Sequence, residues 1–286
     1  MRTLHPSFFN EVELSLLYEI VFTIKTNIMR KSNIVLLALI LITMSSVAKS
    51  EQRTEVIQTA KNKIMMQDDL NRKPLASQLN AQSEAFTKKA PAVVLKKYKE
   101  GLEDVSISGV LDKALKVGDK AVDFTLKNQK GEKVTLYQEL KKGPVVLIWY
   151  RGGWCPYCNL TLRALQEELP NFKREGASLI ALTPEVPDKS LTTTEKNDLE
   201  FTVLSDLGNK VGKKYGLIYK LTKDVAELYQ KKFDLYAYNG DQSDELPLAA
   251  TYIVDTDGII KYAFLDADYK KRAEPSEIVK FLKTLK

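Results

Sequence analysis

Residues 145–158 read Val-Val-Leu-Ile-Trp-Tyr-Arg-Gly-Gly-Trp-Cys-Pro-Tyr-Cys and contain both cysteines of the 286-residue chain. The apolar run at 145–150, which is largely β-branched and aromatic, predicts one buried strand that ends where two consecutive glycines allow a sharp turn. A helix is expected next, because leucines recur at helical spacing at Leu162, Leu165 and Leu169. The stretch therefore predicts a strand, a turn and a helix that together carry the cysteine pair.

The two cysteines are expected in the first turn of that helix. Pro156 suits the first helical position because its ring fixes φ and it has no N–H, which makes Cys155 the N-cap residue and Cys158 the third helical residue. Unpaired backbone N–H groups and the positive end of the helix dipole favour a thiolate there. A thiol whose pKa falls from about 8.5 to about 6 gains roughly thirtyfold in thiolate at pH 7. Residues three apart in a helical turn can also form a disulfide, so we interpret the pair as a redox centre.

The cysteine pair has two other interpretations. Half of a zinc site would need further ligands, and the single histidine of the chain is the distant His5. An inert structural disulfide would close so short a loop that it would constrain little of the chain. Proline between two cysteines at a strand-to-helix turn is instead typical of redox sites, so we predict redox chemistry with no metal and no cofactor.

Composition limits the class of protein. With 44% hydrophobic and 28% charged residues, the chain can form one substantial core with appendages. The formal net charge is +6 and the pI is about 9.0, but the lysines are scattered among acidic residues and do not form a basic stripe. Nucleic acid is therefore not predicted as a partner.

The beginning of the chain predicts export. Residues 1–28 have no recognisable role, whereas 29–48 have the pattern of a signal peptide, with basic residues before the apolar core Ile34 to Met44 and small residues up to Ala48. The core is shorter than the roughly 20 residues that span a membrane. Cleavage near Ala48 would give a periplasmic or secreted protein without histidine. This excludes Ser-His-Asp hydrolases, Cys-His hydrolases and histidine-ligated metal enzymes.

Two regions are expected after the signal peptide. Residues 49–116 have apolar positions at helical spacing and predict a helical extension. Residues 117–286 alternate strand and helix patterns, with hairpin signals on either side of Lys130-Gly131 and of the turn at 255–258. This pattern predicts an α/β domain with a mixed central sheet flanked by helices. The polar, tyrosine-bearing insertion at 221–246 has no predicted function.

Several segments carry a family resemblance. They are Gly118 to Ala121 with Asp123-Phe124, Tyr150 to Leu160, Val203 to Asn209, and Asp266 to Tyr269 followed by Arg272, Glu274 and Pro275. Together they resemble a peroxiredoxin-like branch of the alkyl hydroperoxide reductase/thiol-specific antioxidant family, the redoxins of the thioredoxin superfamily. The resemblance implies a thioredoxin-like fold and a thiol-dependent peroxidase that a thioredoxin-like donor reduces.

The resemblance leaves open which cysteine attacks. When the peroxiredoxin motif is laid on this chain, Cys158 takes the peroxidatic position, Cys155 the threonine position and Arg151 the proline position. Thioredoxins and glutaredoxins instead use the first cysteine, which is Cys155, and the Cys-Pro-Tyr-Cys tetrapeptide is similar to that of glutaredoxins. A cap residue faces outward, which favours Cys155 for bulky disulfides, whereas Cys158 is better surrounded by donors for a small peroxide.

The chain also departs from the family pattern. Ala249 occupies the position where relatives carry a cis-proline or the active-site arginine, and we hypothesise that Arg151 replaces that arginine. The alternative for Arg151 is a surface arginine paired with a carboxylate. By its own composition, the segment 266–275 predicts a solvated turn before the last helix.

Further residues are predicted to support the cysteine pair. Trp154 is expected to shield the sulfurs or to hold a partner surface, and Thr251 is expected to stand beside the pair. Pro156 and Tyr157, between the two cysteines, complete the predicted site.

Three functions follow from these observations. The first is a peroxidase that reduces hydrogen peroxide or organic hydroperoxides through a redox-active disulfide between Cys155 and Cys158. The second is an exported thiol-disulfide oxidoreductase acting on protein disulfides. The third is a non-catalytic protein with a structural disulfide. We favour the peroxidase, with a peroxide as substrate, a thioredoxin-like protein as reductant, and a possible homodimer.

Overall fold

Strands and helices alternate around a five-stranded mixed sheet, as the sequence predicts. The computed structural model describes residues 73–285 together with Thr59. Outside these residues lie the segment 1–28, the predicted signal peptide at 29–48 and, except for Thr59, residues 49–72 of the predicted helical extension.

The helices and strands follow one another along the chain with these bounds. The helices are α1 (Leu75–Lys89), α2 (Ala92–Ile107), α3 (Val110–Lys113), α4 (Leu136–Leu140), α5 (Pro156–Arg174), α6 (Pro187–Lys196), α7 (Lys210–Lys214), α8 (Lys223–Phe233), α9 (Leu235–Asn239) and α10 (Pro275–Leu282). The strands are β1 (Thr125–Lys127), β2 (Lys133–Thr135), β3 (Val145–Trp149), β4 (Ser178–Thr183), β5 (Thr202–Ser205), β6 (Ile218–Lys220), β7 (Glu245–Pro247), β8 (Thr251–Val254) and β9 (Ile260–Phe264). Two short 3-10 turns lie at Leu207–Asn209 and Lys283–Leu285.

Strand β3 is the middle strand of the sheet, whose order is β5-β4-β3-β8-β9. All five of its side chains are buried. Its β-branched and aromatic residues suit a pleated surface that is covered on both sides, where burial of each aliphatic side chain contributes about 1.5–3 kcal/mol. It pairs in parallel with β4 and antiparallel with β8, so that Ile148 lies opposite Thr251. The predicted α/β fold with a mixed central sheet is thereby confirmed.

Two hairpins predicted from turn residues are present. Strands β1 and β2 pair antiparallel as a separate two-stranded sheet, and β8 pairs antiparallel with β9 at the edge of the central sheet. A third pair, β6 with β7, brackets most of the insertion at 221–246. That insertion is therefore a folded subregion containing α8 and α9.

The helices α1 and α2 pack on the domain that carries the cysteines. Helix α1 contacts α5, and α2 contacts α8. The N-cap residues of α1 and α2 are prolines, which cannot continue a preceding helix, and Leu75 and Leu79 of α1 are buried. Residues 73–286 form one compact unit, whereas the proposed domain boundaries stay predictions. None of the described helices is long and apolar enough to cross a membrane.

Candidate active site

The cysteines lie where the sequence predicts, at the start of the helix that follows β3. Cys155 is the N-cap of α5 in an extended conformation, and Pro156 is in its first turn. The turn between β3 and α5 has no room for a side chain at Gly152 or Gly153. A Cβ on Gly152, whose φ is +149°, would lie 2.3 Å from the Trp154 indole nitrogen, and one on Gly153 would lie 2.0 Å from the Thr193 hydroxyl. The backbone of the turn is thus packed against its surroundings on both sides.

Both sulfurs are reduced and buried. Cys155 is 1% exposed and Cys158 is 0% exposed, and both are free thiols. The expectation that a cap residue faces outward is therefore wrong for Cys155. The aromatic side chains around it cover the N-terminus of α5, which local sequence does not reveal.

The two thiols have opposite acidities. Burial raises the pKa of Cys158, but the hydrogen bond from the Cys155 thiol, the charges of Arg272 and Arg151, and the Arg151 backbone amide together lower it to about 5. Burial and the neighbouring Cys158 raise the pKa of the Cys155 thiol well above its usual range. The helix start favours a thiolate at either position, and the hydrogen bond and charges around the two sulfurs favour it at Cys158. These shifts favour Cys158 as the thiolate and Cys155 as its hydrogen-bond donor.

Arg272 supplies a positive charge from a distant part of the chain. Its Nη2 donates to the Cys158 sulfur at 3.7 Å. The segment 266–275 is therefore not merely a solvated turn, as its composition predicts, since Arg272 and Tyr269 face the site. The same segment is anchored at its end, because the Glu274 carboxylate accepts hydrogen bonds from the first two backbone N–H groups of α1 at 2.8 and 3.1 Å.

Arg151 is buried among aromatic rings. It is 1% exposed, and its Nη1 lies 4.0 Å from the Cys155 sulfur. Its guanidinium lies 4.0 Å from the Tyr269 ring centroid and 5.0 Å from the Tyr229 and Trp154 rings. The alternative of a surface arginine paired with a carboxylate is therefore wrong. With Ala249 at the usual arginine position, Arg151 and Arg272 are the guanidinium groups beside the sulfurs within the described part of the chain.

The buried carboxyl group of Glu185 is hydrogen-bonded to the turn that precedes the cysteines. Glu185 accepts hydrogen bonds from the Gly153 backbone N–H at 2.9 Å and from the Tyr150 hydroxyl at 3.0 Å. Burial raises the pKa of this carboxyl group. Glu185 is not among the residues predicted from the sequence, although it follows β4, the parallel neighbour of β3. A polar residue just after such a strand is where the rule for crevices in α/β sheets expects a site.

The other predicted site residues differ in how they relate to the two sulfurs. Trp154 packs against the Tyr229 ring, and Tyr157 contacts the Tyr269 ring edge-to-face at 5.6 Å. Pro156 and Trp154 line an opening beside Cys155. Thr251 is buried in β8 opposite Ile148, and its hydroxyl makes no hydrogen bond to either sulfur within the described residues.

The opening beside the cysteines is aromatic and basic. Its volume is about 390 Å³ including the solvent at its mouth, and its lining includes Arg151, Cys155 and Lys232. Helices α1 and α2 contribute Phe86 and Tyr98 to its wall. Cys158 is not part of the lining, so it lies behind Cys155 as seen from the opening. Within residues 73–285, no cluster of three histidine, cysteine or carboxylate side chains could hold a metal ion.

The sequence model of the AhpC/TSA family matches residues 117–263, which is more than half of the chain. The chain belongs to the AhpC/TSA family. This confirms the resemblance identified from the sequence. The match begins at the residue where the sequence predicts the start of the domain and includes both cysteines and Glu185, whereas Arg272 lies beyond its end.

The chain is similar to several peroxiredoxins. It is 28% identical over 169 residues to chloroplastic peroxiredoxin Q of Sedum lineare, covering 59% of this chain and 78% of the relative. It is 28% identical over 186 residues to chloroplastic peroxiredoxin Q of Arabidopsis thaliana, covering 65% and 76%. Among solved structures, peroxidoxin BcpB of Mycobacterium tuberculosis aligns with a TM-score of 0.48 at 20% identity, covering 60% of this chain and 99% of that one.

Proposed function

We propose that this chain is a thiol-dependent peroxidase in which Cys158 attacks the peroxide and Cys155 resolves the oxidised sulfur. The peroxidase class is supported by membership in the AhpC/TSA family and by relatives named peroxiredoxin Q, which confirms the class predicted from the sequence. The two alternatives, a protein-disulfide oxidoreductase and a non-catalytic protein with a structural disulfide, are not favoured by these comparisons.

The opposite acidities of the two thiols carry the assignment of roles. A pKa of about 5 keeps Cys158 ionised at neutral pH, and the thiolate is the nucleophilic form. The Cys155 thiol keeps its proton, because burial and the nearby thiolate raise its pKa. These acidities favour the second cysteine as the attacking one, where the sequence leaves both open.

The reaction follows from this arrangement. The Cys158 thiolate attacks one peroxide oxygen, the O–O bond breaks, and the departing oxygen takes up a proton and leaves as water or an alcohol. Cys158 is then a sulfenic acid, which condenses with the Cys155 thiol to a disulfide and releases water. A dithiol donor reduces the disulfide by thiol exchange and becomes oxidised itself.

The two arginines suit the charge that develops in this reaction. As the O–O bond breaks, negative charge grows on the departing oxygen, and donors placed nearby stabilise it. Arg272 lies on the Cys158 side, and Arg151 lies on the Cys155 side beside the opening. We assign the entrance of the peroxide to this opening.

The partners and the cellular location complete the proposal. The family implies a peroxide substrate and a thioredoxin-type reductant. We propose that this donor is a thioredoxin-like protein outside the cytoplasm, because residues 29–48 have the pattern of a signal peptide. A homodimer stays a prediction.

The assignment is tested by trapping the first oxidised sulfur. The variant Cys155→Ser is treated with one equivalent of hydrogen peroxide and then with dimedone, which reacts with sulfenic acids, and its peptides are analysed by mass spectrometry. We expect the adduct on Cys158. The matched variant Cys158→Ser is expected to consume no peroxide and to form no adduct. An adduct on Cys155 in the Cys158→Ser variant, formed at the rate of the unaltered protein, would reverse the proposed roles.

A further inference from the structure

The Arg151 guanidinium is buried without a carboxylate partner among the ion pairs and hydrogen bonds of residues 73–285. Its surroundings are aromatic faces from three separate segments, represented by Trp154, Tyr229 and Tyr269. Cation–π attraction stabilises a cation over a ring but does not fix the direction of its N–H groups. Something else must therefore orient this guanidinium.

Within the described residues, the single hydrogen bond from this side chain to an oxygen is to Tyr229. The Arg151 Nη2 donates to the Tyr229 hydroxyl at 2.6 Å, a short distance typical of a charge-assisted hydrogen bond. Burial raises the pKa of Tyr229, so this phenol stays neutral and can accept the bond. At the opposite edge of the guanidinium, Nη1 lies 4.0 Å from the Cys155 sulfur, and the buried Nε has no partner in the same part of the chain.

Tyr229 is itself held firmly in place. It is a buried residue of α8, within the insertion at 221–246. Its ring packs against Trp154 at 5.0 Å between centroids and against Tyr98 of α2 at 5.7 Å. Because a tyrosine has only two side-chain torsions and this one is enclosed, its hydroxyl is a rigid acceptor.

We propose that Tyr229 is a positioning residue for the peroxidase reaction, in which its hydroxyl holds Nη2 of the Arg151 guanidinium so that Nη1, on the Cys155 side, is presented to the peroxide. The inference rests on the proposed function, since it requires Arg151 to act on the substrate of Cys158. It also gives the insertion at 221–246 a role, because the insertion supplies the residue that orients Arg151.

The test removes one oxygen atom. In Tyr229→Phe the ring and its packing are kept, and we expect kcat/KM for hydrogen peroxide to fall about tenfold or more, as for loss of a hydrogen bond to a charged group. Since Arg151 and Arg272 keep their charges, the thiolate titration of Cys158, followed by ultraviolet absorbance, is expected to change little. The matched control is Tyr236→Phe, in the same insertion, whose hydroxyl bonds to Asp244 at 3.0 Å; we expect unchanged kinetics.

A double-mutant cycle separates positioning from a general structural effect. In the Arg151→Met background, Tyr229→Phe is expected to cause no further loss of kcat/KM, because there is no guanidinium left to orient. An equal loss in both backgrounds, or no loss in the single variant, would overturn the inference. Failure of the proposed function itself is recognised separately, because Cys158→Ser would then retain peroxide turnover.

Discussion

The strand, turn and helix at 145–158 and the segment at 266–275 contribute to the same site in different ways. The first is decided by its own residues, because a buried strand, two glycines and a proline place both sulfurs at one helix N-terminus. The second has an unremarkable polar sequence, yet it brings Arg272 to 3.7 Å from Cys158 across 114 positions of the chain. The location of the redox pair is thus determined by local sequence, whereas the low pKa of Cys158 combines the local hydrogen bond from Cys155 and the charge of Arg151 with a charge from the distant Arg272.

The comparison is tested most strongly by removing the distant charge. In Arg272→Met, the pKa of Cys158 is expected to rise by about 1–3 pH units, since one nearby opposite charge is lost while the Cys155 hydrogen bond and Arg151 remain, so that the peroxide rate at pH 7 falls by up to about tenfold. The measurement is the second-order rate with hydrogen peroxide, together with the thiolate titration. Much of the loss is expected to be recovered at pH 9.

The control for this variant lies next to it. Lys271→Met removes a neighbouring positive charge whose ammonium group pairs with Asp266 at 3.0 Å instead of contacting a sulfur. We expect an unchanged rate and an unchanged titration. If Arg272→Met also kept the low pKa of Cys158, the local groups of the turn and helix start, Cys155 and Arg151 among them, would be sufficient and the distinction between the two regions would fail.

The pH profile of the unaltered protein sharpens the same comparison. The rate of the first step should follow the ionised fraction of Cys158, whose pKa is lowered to about 5. Protonation below that value removes the nucleophile, so we expect a half-maximal rate near pH 5 and a nearly constant rate at neutral pH. The measurement is single-turnover peroxide consumption across this range. A rate that still rises steeply between pH 7 and 9 would show an ordinary thiol.

The smallest expected effect concerns the attachment of the segment to α1. Glu274→Gln weakens the two hydrogen bonds and removes a negative charge at a helix N-terminus, an interaction worth about 0.3–1 kcal/mol. We expect Tm to fall by about 1–3 °C. Glu100→Gln is the control, since Glu100 pairs with Lys96 on the exposed middle of α2, away from either end of that helix. Equal melting temperatures in both variants would show that the attachment does not stabilise the fold.

The fold class and the elements around the cysteines are predictable from the sequence because their signals are local. Strand β3, the proline at the start of α5 and the hairpin turns each depend on residues that are neighbours in the chain. The burial of Cys155 is not predictable in this way, since many of the rings beside it come from α1, α2, α8 and the segment 266–275. Helical spacing in the extension indicates helices but does not say which part of the domain they cover.

The residues around the sulfurs were only partly predictable. Arg151 is predictable as a site residue because it adjoins the cysteines, although its partner Tyr229 lies 78 positions away. Arg272 is part of the family resemblance, but the composition of its segment alone favours a solvated turn. Long-range contacts of this kind leave no periodic pattern in the sequence, so they become visible only when the chain is folded.

The charge on Cys158 has a consequence for the second half of the catalytic cycle. When the disulfide closes, the thiolate disappears while the guanidinium groups of the buried Arg151 and the half-buried Arg272 keep their positive charges. Opening the bridge restores the anion that both cations attract, and a stabilised leaving thiolate departs faster. The oxidised protein should therefore be a ready acceptor of electrons, so that the groups that favour attack on peroxide also favour return to the dithiol.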